Sequence, residues 1–355
     1  MRFIHIADTH FDTPFTFLGE NENLGDIRRL EQRQAFKQVI EYIKKEEIPY
    51  LFIAGDLYDQ KYIKKTTIEY INNLFKTIPN TKIFISPGNH DPFLKNSYYN
   101  NFEWNNNVYI FNSEIGLYEF EDVDIYGFGF NDFYCNNFNT KEITIKNKNK
   151  INILIVHGDI DASKTADVQY NPVSKSELET LGFDYIAMGH IHKRQIIDNN
   201  IVYPGSTVSL GFDEQGKHGM IVAEVNKEDV KIDFIKLDNR IFEERKIDVT
   251  NLNTVEELIE LLNGLNIEEN IMIKIILEGT RQFEIEENKI LKLLNNKNIL
   301  KIKNNTKIKY NLEELSQQNN LKGIFAKEML QLLEENKEDK ETIEKAIEIG
   351  LNNMT

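Results

Sequence analysis

Five short apolar runs each stop at a turn carrying aspartate, asparagine or histidine, and this repetition constrains the fold more than any other feature. RFIHIAD runs into Asp8-Thr9-His10, YLFIAGD into Gly55-Asp56-Leu57-Tyr58-Asp59, and TKIFISPGNHD into Gly88-Asn89-His90-Asp91. NILIVHG ends in His157-Gly158, and FDYIAMGH in Gly189-His190-Ile191-His192. Apolar runs of this length bounded by glycine read as buried strands. Between the first two lies RRLEQRQAFKQVIEYIKK, whose Leu30, Ala35, Phe36, Val39, Ile40 and Ile43 suit one helix face. Strands alternating with helices make an α/β fold, whose ligands collect beyond the carboxyl ends of the strands. Residues two apart on an extended segment point the same way, so Asp8 and His10 can share a target, as can His190 and His192.

The residues at these ends are metal ligands by type. Asp8, His10, Asp56, Asn89, His157, His190 and His192 offer imidazoles, carboxylates and one amide. They are too many for one catalytic ion that must keep a position open. Shared through Asp56, they suit two ions roughly 3.5–4 Å apart, the arrangement used in phosphoryl chemistry. Nitrogen and oxygen donors without thiolate fit manganese, iron or zinc.

Composition narrows the setting. A single cysteine, Cys135, excludes a disulfide framework and a thiolate zinc site, and suits a reducing cytoplasm. The start, MRFIHIADTH, lacks the apolar stretch of a signal peptide, and no run reaches the roughly 20 apolar residues of a membrane helix. The net charge of −15 opposes general nucleic-acid affinity, so a polyanionic substrate must meet bound ions, a basic patch or a partner. Further strand-like runs, NIVYPGS and HGMIVAEV, complete a core over residues 1–237. Residues 238–310 read as a small α+β cap, with a capping box opened by Thr254 and strands IMIKIILEG and NILKIKNNTKIKY. Residues 311–355 read as a helical tail.

In this order, D-x-H, G-D-x-x-D, G-N-H-D, H-G and G-H-x-H resemble the calcineurin-like metallophosphoesterases. MRFIHIADTHFDTPF and YPGSTVSLGFDEQGKHG narrow the resemblance to SbcD-type DNA repair exonucleases, the YhaO-like branch in particular. The resemblance implies a β-sandwich flanked by helices. It places Asp8, His10, Asp56 and His192 on one ion, and Asp56, Asn89, His157 and His190 on a second. It makes His90 the group that steadies the transition state or protonates the leaving oxygen, with Asp59 orienting it. The best-known exonucleases carry histidine where Asp59 stands, whereas aspartate there is common in phosphatases; Gln60 stands where protein phosphatases often have arginine. The implied activity is manganese-dependent hydrolysis of DNA in repair or recombination. A helical tail docking on an SbcC-type coiled-coil ATPase and a homodimer through the core are implied as well.

Plainer readings accompany these. The fold without turnover would be a metal-binding scaffold for an ATPase partner, and a closed pocket under the cap would suit a small nucleotide. His5, of opposite parity to Asp8, reads as a packed core histidine, His218 as structural and Asp12 as a solvated loop carboxylate. Lys61, Lys64 and Lys65, just after Asp59, are the nearer candidates for DNA phosphates. The lysines at 292, 297, 301, 303, 307 and 309 read equally well as a solubilising strand edge. Ile324, Phe325, Met329, Leu332 and Leu333 read as a helix face packing on the chain's own core.

Overall fold

The computed structural model describes residues 1–15, 18, 22–134, 138–161, 170–335 and 339–354. Cys135 lies outside the described residues. The chain forms two compact units, Met1–Phe242 and Glu243–Thr355.

The first unit is built in chain order from β1 (Arg2–Ile6), α1 (Glu22–Glu46), β2 (Tyr50–Ile53), α2 (Lys65–Lys76), β3 (Lys82–Ile85), α3 (Tyr98–Asn101) and β4 (Val108–Ile110). There follow β5 (Gly116–Glu119), β6 (Val123–Phe128), β7 (Ile151–His157), α4 (Lys175–Leu181), β8 (Tyr185–Gly189), β9 (Gln195–Asp198), β10 (Ile201–Tyr203), β11 (Gly219–Val225) and β12 (Val230–Lys236). Two six-stranded sheets result, ordered β12-β11-β1-β2-β3-β4 and β5-β6-β7-β8-β10-β9. Strands β1 to β4 and β6 to β8 run parallel, each joined to the next by a crossover connection.

Strand alternation sorts the core into layers. Phe3, Phe52 and Phe84 meet Ile153, Ile155 and Tyr185 between the sheets. Their neighbours Ile4, Leu51, Ile53, Ile83 and Ile85 turn outward onto α1 and α2. Leu154 and Val156 face the opposite outer layer with Leu178 and Phe183. Both faces of each central strand are therefore apolar, which explains the unbroken runs in the sequence. On α1, Ala35, Phe36, Val39, Ile40 and Ile43 are buried. Leu30 is not: at 100° per residue it lies well off that face and stands in solvent.

Strand β13 (Ile241–Asp248) starts at the end of the first unit and runs into the second, which continues with α5 (Val255–Asn263), β14 (Ile271–Glu278), β15 (Thr280–Arg281), α6 (Glu287–Leu293), β16 (Ile299–Asn304) and β17 (Lys307–Ile308). Helices α7 (Leu312–Leu315), α8 (Leu321–Glu335) and α9 (Lys340–Asn352) close it. A sheet β13-β14-β16 packs Ile273, Ile275 and Leu277 against Leu258, Leu262 and Ile290 of α5 and α6. The Thr254 side chain caps α5 by accepting from Glu257 N at 3.2 Å. On α8 the expected apolar face is split. Gly323 and Ala326 are the buried positions, while Ile324 and Leu332 stand exposed. Among the described residues no helix is long and apolar enough to cross a membrane.

Candidate metal centre

The carboxyl ends of β1, β2 and β3 in one sheet and of β7 and β8 in the other open onto the same place. The joins are backbone hydrogen bonds between turns: Asp8 N to Gly55 O at 3.1 Å, His10 N to Asp56 O at 2.9 Å, and Gly158 N to Gly189 O at 3.2 Å. Space is tight. A Cβ on Gly189 would lie 1.7 Å from Ala54 O, so the two sheets touch at a point that admits only glycine.

Convergence of the side chains does not come from strand alternation. Asp8, His10 and Asp56 have φ near 50°, and His190 has φ 100°, so each lies in the left-handed region just past its strand. The expectation that extended parity aims Asp8 with His10 and His190 with His192 is corrected here; sharp turns aim them.

The result is a cluster of buried and part-buried imidazoles, carboxylates and one amide. His157 Nδ1 donates to Ala54 O at 2.9 Å, which turns Nε2 toward Asn89 Oδ1 at 2.9 Å and Asp56 Oδ2 at 3.4 Å. His190 Nδ1 lies 3.1 Å from the same Asn89 oxygen. His192 Nδ1 faces Glu214 Oε1 at 2.5 Å, leaving Nε2 only 3.1 Å from His10 Nε2. Asp56 Oδ2 is 3.6 Å from His10 Nε2, while Oδ1 accepts from His90 N at 2.7 Å. Asp8 accepts from His190 N through both oxygens, at 3.1 Å each. Among the described residues, three sets of side chains have ligand atoms within 4.8 Å of one another: Asp8, His10 and His192; His10, Asp56 and His90; and Asp8, Asp56 and His157.

Facing imidazole nitrogens and carboxylate oxygens need something positive between them, a proton or a cation. As protein alone, protons must serve. Burial disfavours a charged His157, but the charge and hydrogen bond of Asp56, with Asp8 behind, outweigh it and lift its pKa to about 9. Burial likewise works against His192, and Glu214, Asp8 and Asp56 raise it to about 9. Burial pushes Asp8 up, and pushes His10 well below its ordinary value despite Asp56. The donor set thus fits divalent cations, which would take the place of those protons.

His90 stands at the rim, with 46% of its side chain exposed, and its Nδ1 lies 3.1 Å from Asp59 Oδ1. Burial opposes its charged form; the Asp59 hydrogen bond and the charges of Asp56, Asp59 and Asp91 prevail and raise its pKa. Lys61, Lys64 and Lys65 are exposed on the following segment. Lys61 Nζ sits over the Tyr62 ring at 5.6 Å and Lys65 pairs with Glu69 at 3.7 Å.

Around the cluster sit Asp91 and Glu214, which sequence reading left without a role, and Asp12, His5 and His218, to which it gave one. Asp91, fully buried, accepts from Asp56 N, Leu57 N and Gly88 N and from the Tyr99 hydroxyl, tying the second turn to the third. Burial and Asp56 nevertheless push its pKa up to about 6. Asp12 is no solvated carboxylate: it accepts from Lys64 N, Thr67 Oγ1 and Arg33 Nη2, fastening the first turn to the start of α2. His5 is packed between Tyr185 Oη and Met188 O, each at 3.1 Å, and His218 between Ser206 Oγ and Glu214 O, each at 2.8 Å. The one usable signal for Asp91 was its place directly after the G-N-H triplet. For Glu214 it was the FDE step within an otherwise apolar, glycine-rich segment.

A sandwich of this topology with such a cluster at its strand ends defines a metal-dependent phosphoesterase. Residues 1–194 match the calcineurin-like phosphoesterase family, and the chain belongs to it. Over 297 residues it is 25% identical to the uncharacterized metallophosphoesterase YhaO of Bacillus subtilis strain 168, covering 79% of this chain and 72% of that one. Over 252 residues it is 30% identical to the SbcD subunit of nuclease SbcCD from Staphylococcus epidermidis strain ATCC 12228, covering 60% of this chain and 63% of the relative, less than two thirds of its length. A crystal structure of TT1561 of Thermus thermophilus aligns with a TM-score of 0.39 and 9% identity, over 66% of this chain and 98% of that one.

Proposed function

We propose that this chain is an SbcD-type nuclease, hydrolysing phosphodiester bonds at DNA ends with two divalent ions, manganese by preference, in repair or recombination. The observation that carries the proposal is the pairing of a two-ion donor set with a separate, rim-exposed His90–Asp59 pair. Support for DNA as substrate comes from the likeness to the SbcD subunit of nuclease SbcCD.

Asp8, His10, Asp56 and His192 would hold one ion; Asp56, Asn89, His157 and His190 would hold the other. When bound, the ions supply Lewis acidity to the phosphoryl oxygens and lower the pKa of water. Asp59 takes the Nδ1–H of His90 and leaves its Nε2–H free to donate to a phosphoryl or leaving oxygen. The His90 backbone N–H, bound to Asp56 Oδ1, fixes that histidine relative to the ligand shared by both ions. Exposed Lys61, Lys64 and Lys65 would meet flanking phosphates, which a chain of charge −15 otherwise repels. An SbcC-type ATPase would supply further grip on DNA, docked on the helical tail 311–355, with 238–310 as the cap. A reducing cytoplasm suits the single cysteine.

The test is digestion of end-labelled linear duplex DNA with Mn²⁺, beside a small phosphodiester and a mononucleotide, with His90→Asn as control. Nucleotides released by the wild type and not by the variant, with both metals still bound, support the reading. Full activity in His90→Asn removes His90 from its role. Asp59 favours a second reading, a small-nucleotide phosphodiesterase or phosphatase, which cleavage of the small esters with DNA untouched would establish.

A further inference from the structure

The segment between β10 and β11 contains Glu214, which the mechanism above does not use. Its side chain, 15% exposed, is divided between two tasks. Oε1 meets His192 Nδ1 at 2.5 Å. Oε2 accepts from Leu210 N at 2.8 Å and from Ser206 Oγ at 3.0 Å. The same segment grips the His192 backbone, since Ser206 N donates to His192 O at 3.0 Å. Gly205, at φ +76°, passes so close that a Cβ there would lie 2.7 Å from that oxygen. Below, Ser209 is fixed by a fully buried ion pair: Arg28 donates to Ser209 O at 2.8 Å and to Asp238, and Asp238 accepts from Ser209 N at 2.8 Å. Glu214 is therefore held from behind by contacts that do not involve the His192 side chain.

We propose that Glu214 is the positioning residue of the metal centre, fixing His192 in the tautomer whose Nε2 faces the ion shared with Asp8, His10 and Asp56. The physical reason is direct. A neutral imidazole carries one N–H, and whichever nitrogen donates leaves the other as ligand. His157 gains the same tautomer from the neutral carbonyl of Ala54. His192 gains it from a carboxylate, which also makes the ligating nitrogen more basic. The other ion's His190 also has a carboxylate behind it, Asp159 Oδ1, but at 3.5 Å from Nε2 against 2.5 Å for Glu214, so the Glu214 side should bind its ion more tightly. Carboxylate partners of metal-bound histidines are worth roughly 10–100-fold in metal affinity. This inference rests on the two-ion reading above.

The test is titration of the full metal-free chain with Mn²⁺, followed by calorimetry and by electron paramagnetic resonance, for wild type, Glu214→Ala and Glu214→Gln. The wild type should bind two ions. Glu214→Ala should lose roughly 10–100-fold in affinity for one ion and leave the other near its wild-type value. Glu214→Gln, which keeps a carbonyl acceptor for Nδ1–H without the charge, should recover part of that loss. In steady state the Mn²⁺ activation constant should rise while KM for a phosphodiester holds steady. With Zn²⁺ bound, ¹⁵N spectra should show His192 protonated at Nδ1 in the wild type and lose that pattern in Glu214→Ala. Unchanged Mn²⁺ affinity in both variants would overturn the proposal, as would equal weakening of both ions with a matching fall in Tm. If Glu214→Ala does not fold, Glu214→Gln decides alone, and wild-type affinity there overturns it. A wild-type chain that binds no pair of ions would instead sink the two-ion nuclease reading itself.

Discussion

Gly189→Ala is the perturbation whose outcome the geometry fixes most tightly. The added Cβ would sit 1.7 Å from Ala54 O and 2.9 Å from His157 Nδ1. Ordinary van der Waals contact begins at 3.4 Å, so about 1.7 Å must open between β8 and the end of β2. Neither side yields easily, because both are backbone held in different sheets, by β7 and β10 on one side and β1 and β3 on the other. Overpacking a core by a methyl group costs typically 1–3 kcal/mol, and a backbone wedge belongs at the upper end, about 3 kcal/mol. In a unit of this size each kcal/mol moves Tm by about 2–4 °C, giving a fall of about 6–12 °C. Ala54 O is also the acceptor that orients His157, so the same wedge displaces a candidate ligand. A misplacement of about 1 Å costs on the order of 100-fold in rate. Scanning calorimetry in excess chelator isolates the packing cost, and Mn²⁺ titration with phosphodiester turnover reads the site. A variant within about 0.5 kcal/mol of wild type and with undiminished Mn²⁺ affinity would refute the claim that the sheets touch there.

Two further perturbations follow from the same contacts. Asp56→Ala removes the carboxylate nearest both His10 and His157, so both ions should weaken together by more than the roughly 10–100-fold of a lost supporting partner; calorimetric loss of one ion alone contradicts its shared role. Arg28→Leu strands the buried Asp238, and breaking such a pair costs about 3–5 kcal/mol. The lower figure applies because Asp238 keeps Ser209 N and Arg240 N as donors; a loss under about 1 kcal/mol in urea unfolding contradicts this account.

The layered core was legible because burial acts on residues of one strand at a time. Ile4, Leu51 and Ile83 fall on one face and Phe3, Phe52 and Phe84 on the other, a pattern any short window shows. The ligand types were legible for the same reason, since each lies at the end of its own run. What was not legible depends on pairs far apart in sequence. Asp12 looks like a loop carboxylate until Lys64 and Thr67, 52 and 55 residues on, arrive as donors. Glu214 looks like any surface glutamate until the segment it belongs to folds back over His192. Leu30 misled in the opposite direction: its apolarity suggested the core, whereas the buried residue on that turn is Arg28, whose partners lie at Ser209 and Asp238.

The aiming of the ligands has a cause of the same non-local kind. A left-handed residue other than glycine costs about 1–2 kcal/mol, with aspartate and histidine among the more tolerant types. At about 1 kcal/mol apiece, Asp8, His10, Asp56 and His190 together store about 4 kcal/mol, a large share of a net stability of about 5–15 kcal/mol. What holds each one is another member of the site. The Asp8 amide binds Gly55 O, the His10 amide binds Asp56 O, the Asp56 amide binds Asp91 Oδ1, and the His190 amide binds the Asp8 carboxylate. No turn is stable in this shape by its own sequence; each is strained alone and relieved by its neighbours. The site is therefore one cooperative unit, and a change that frees one turn should loosen ligands on the others.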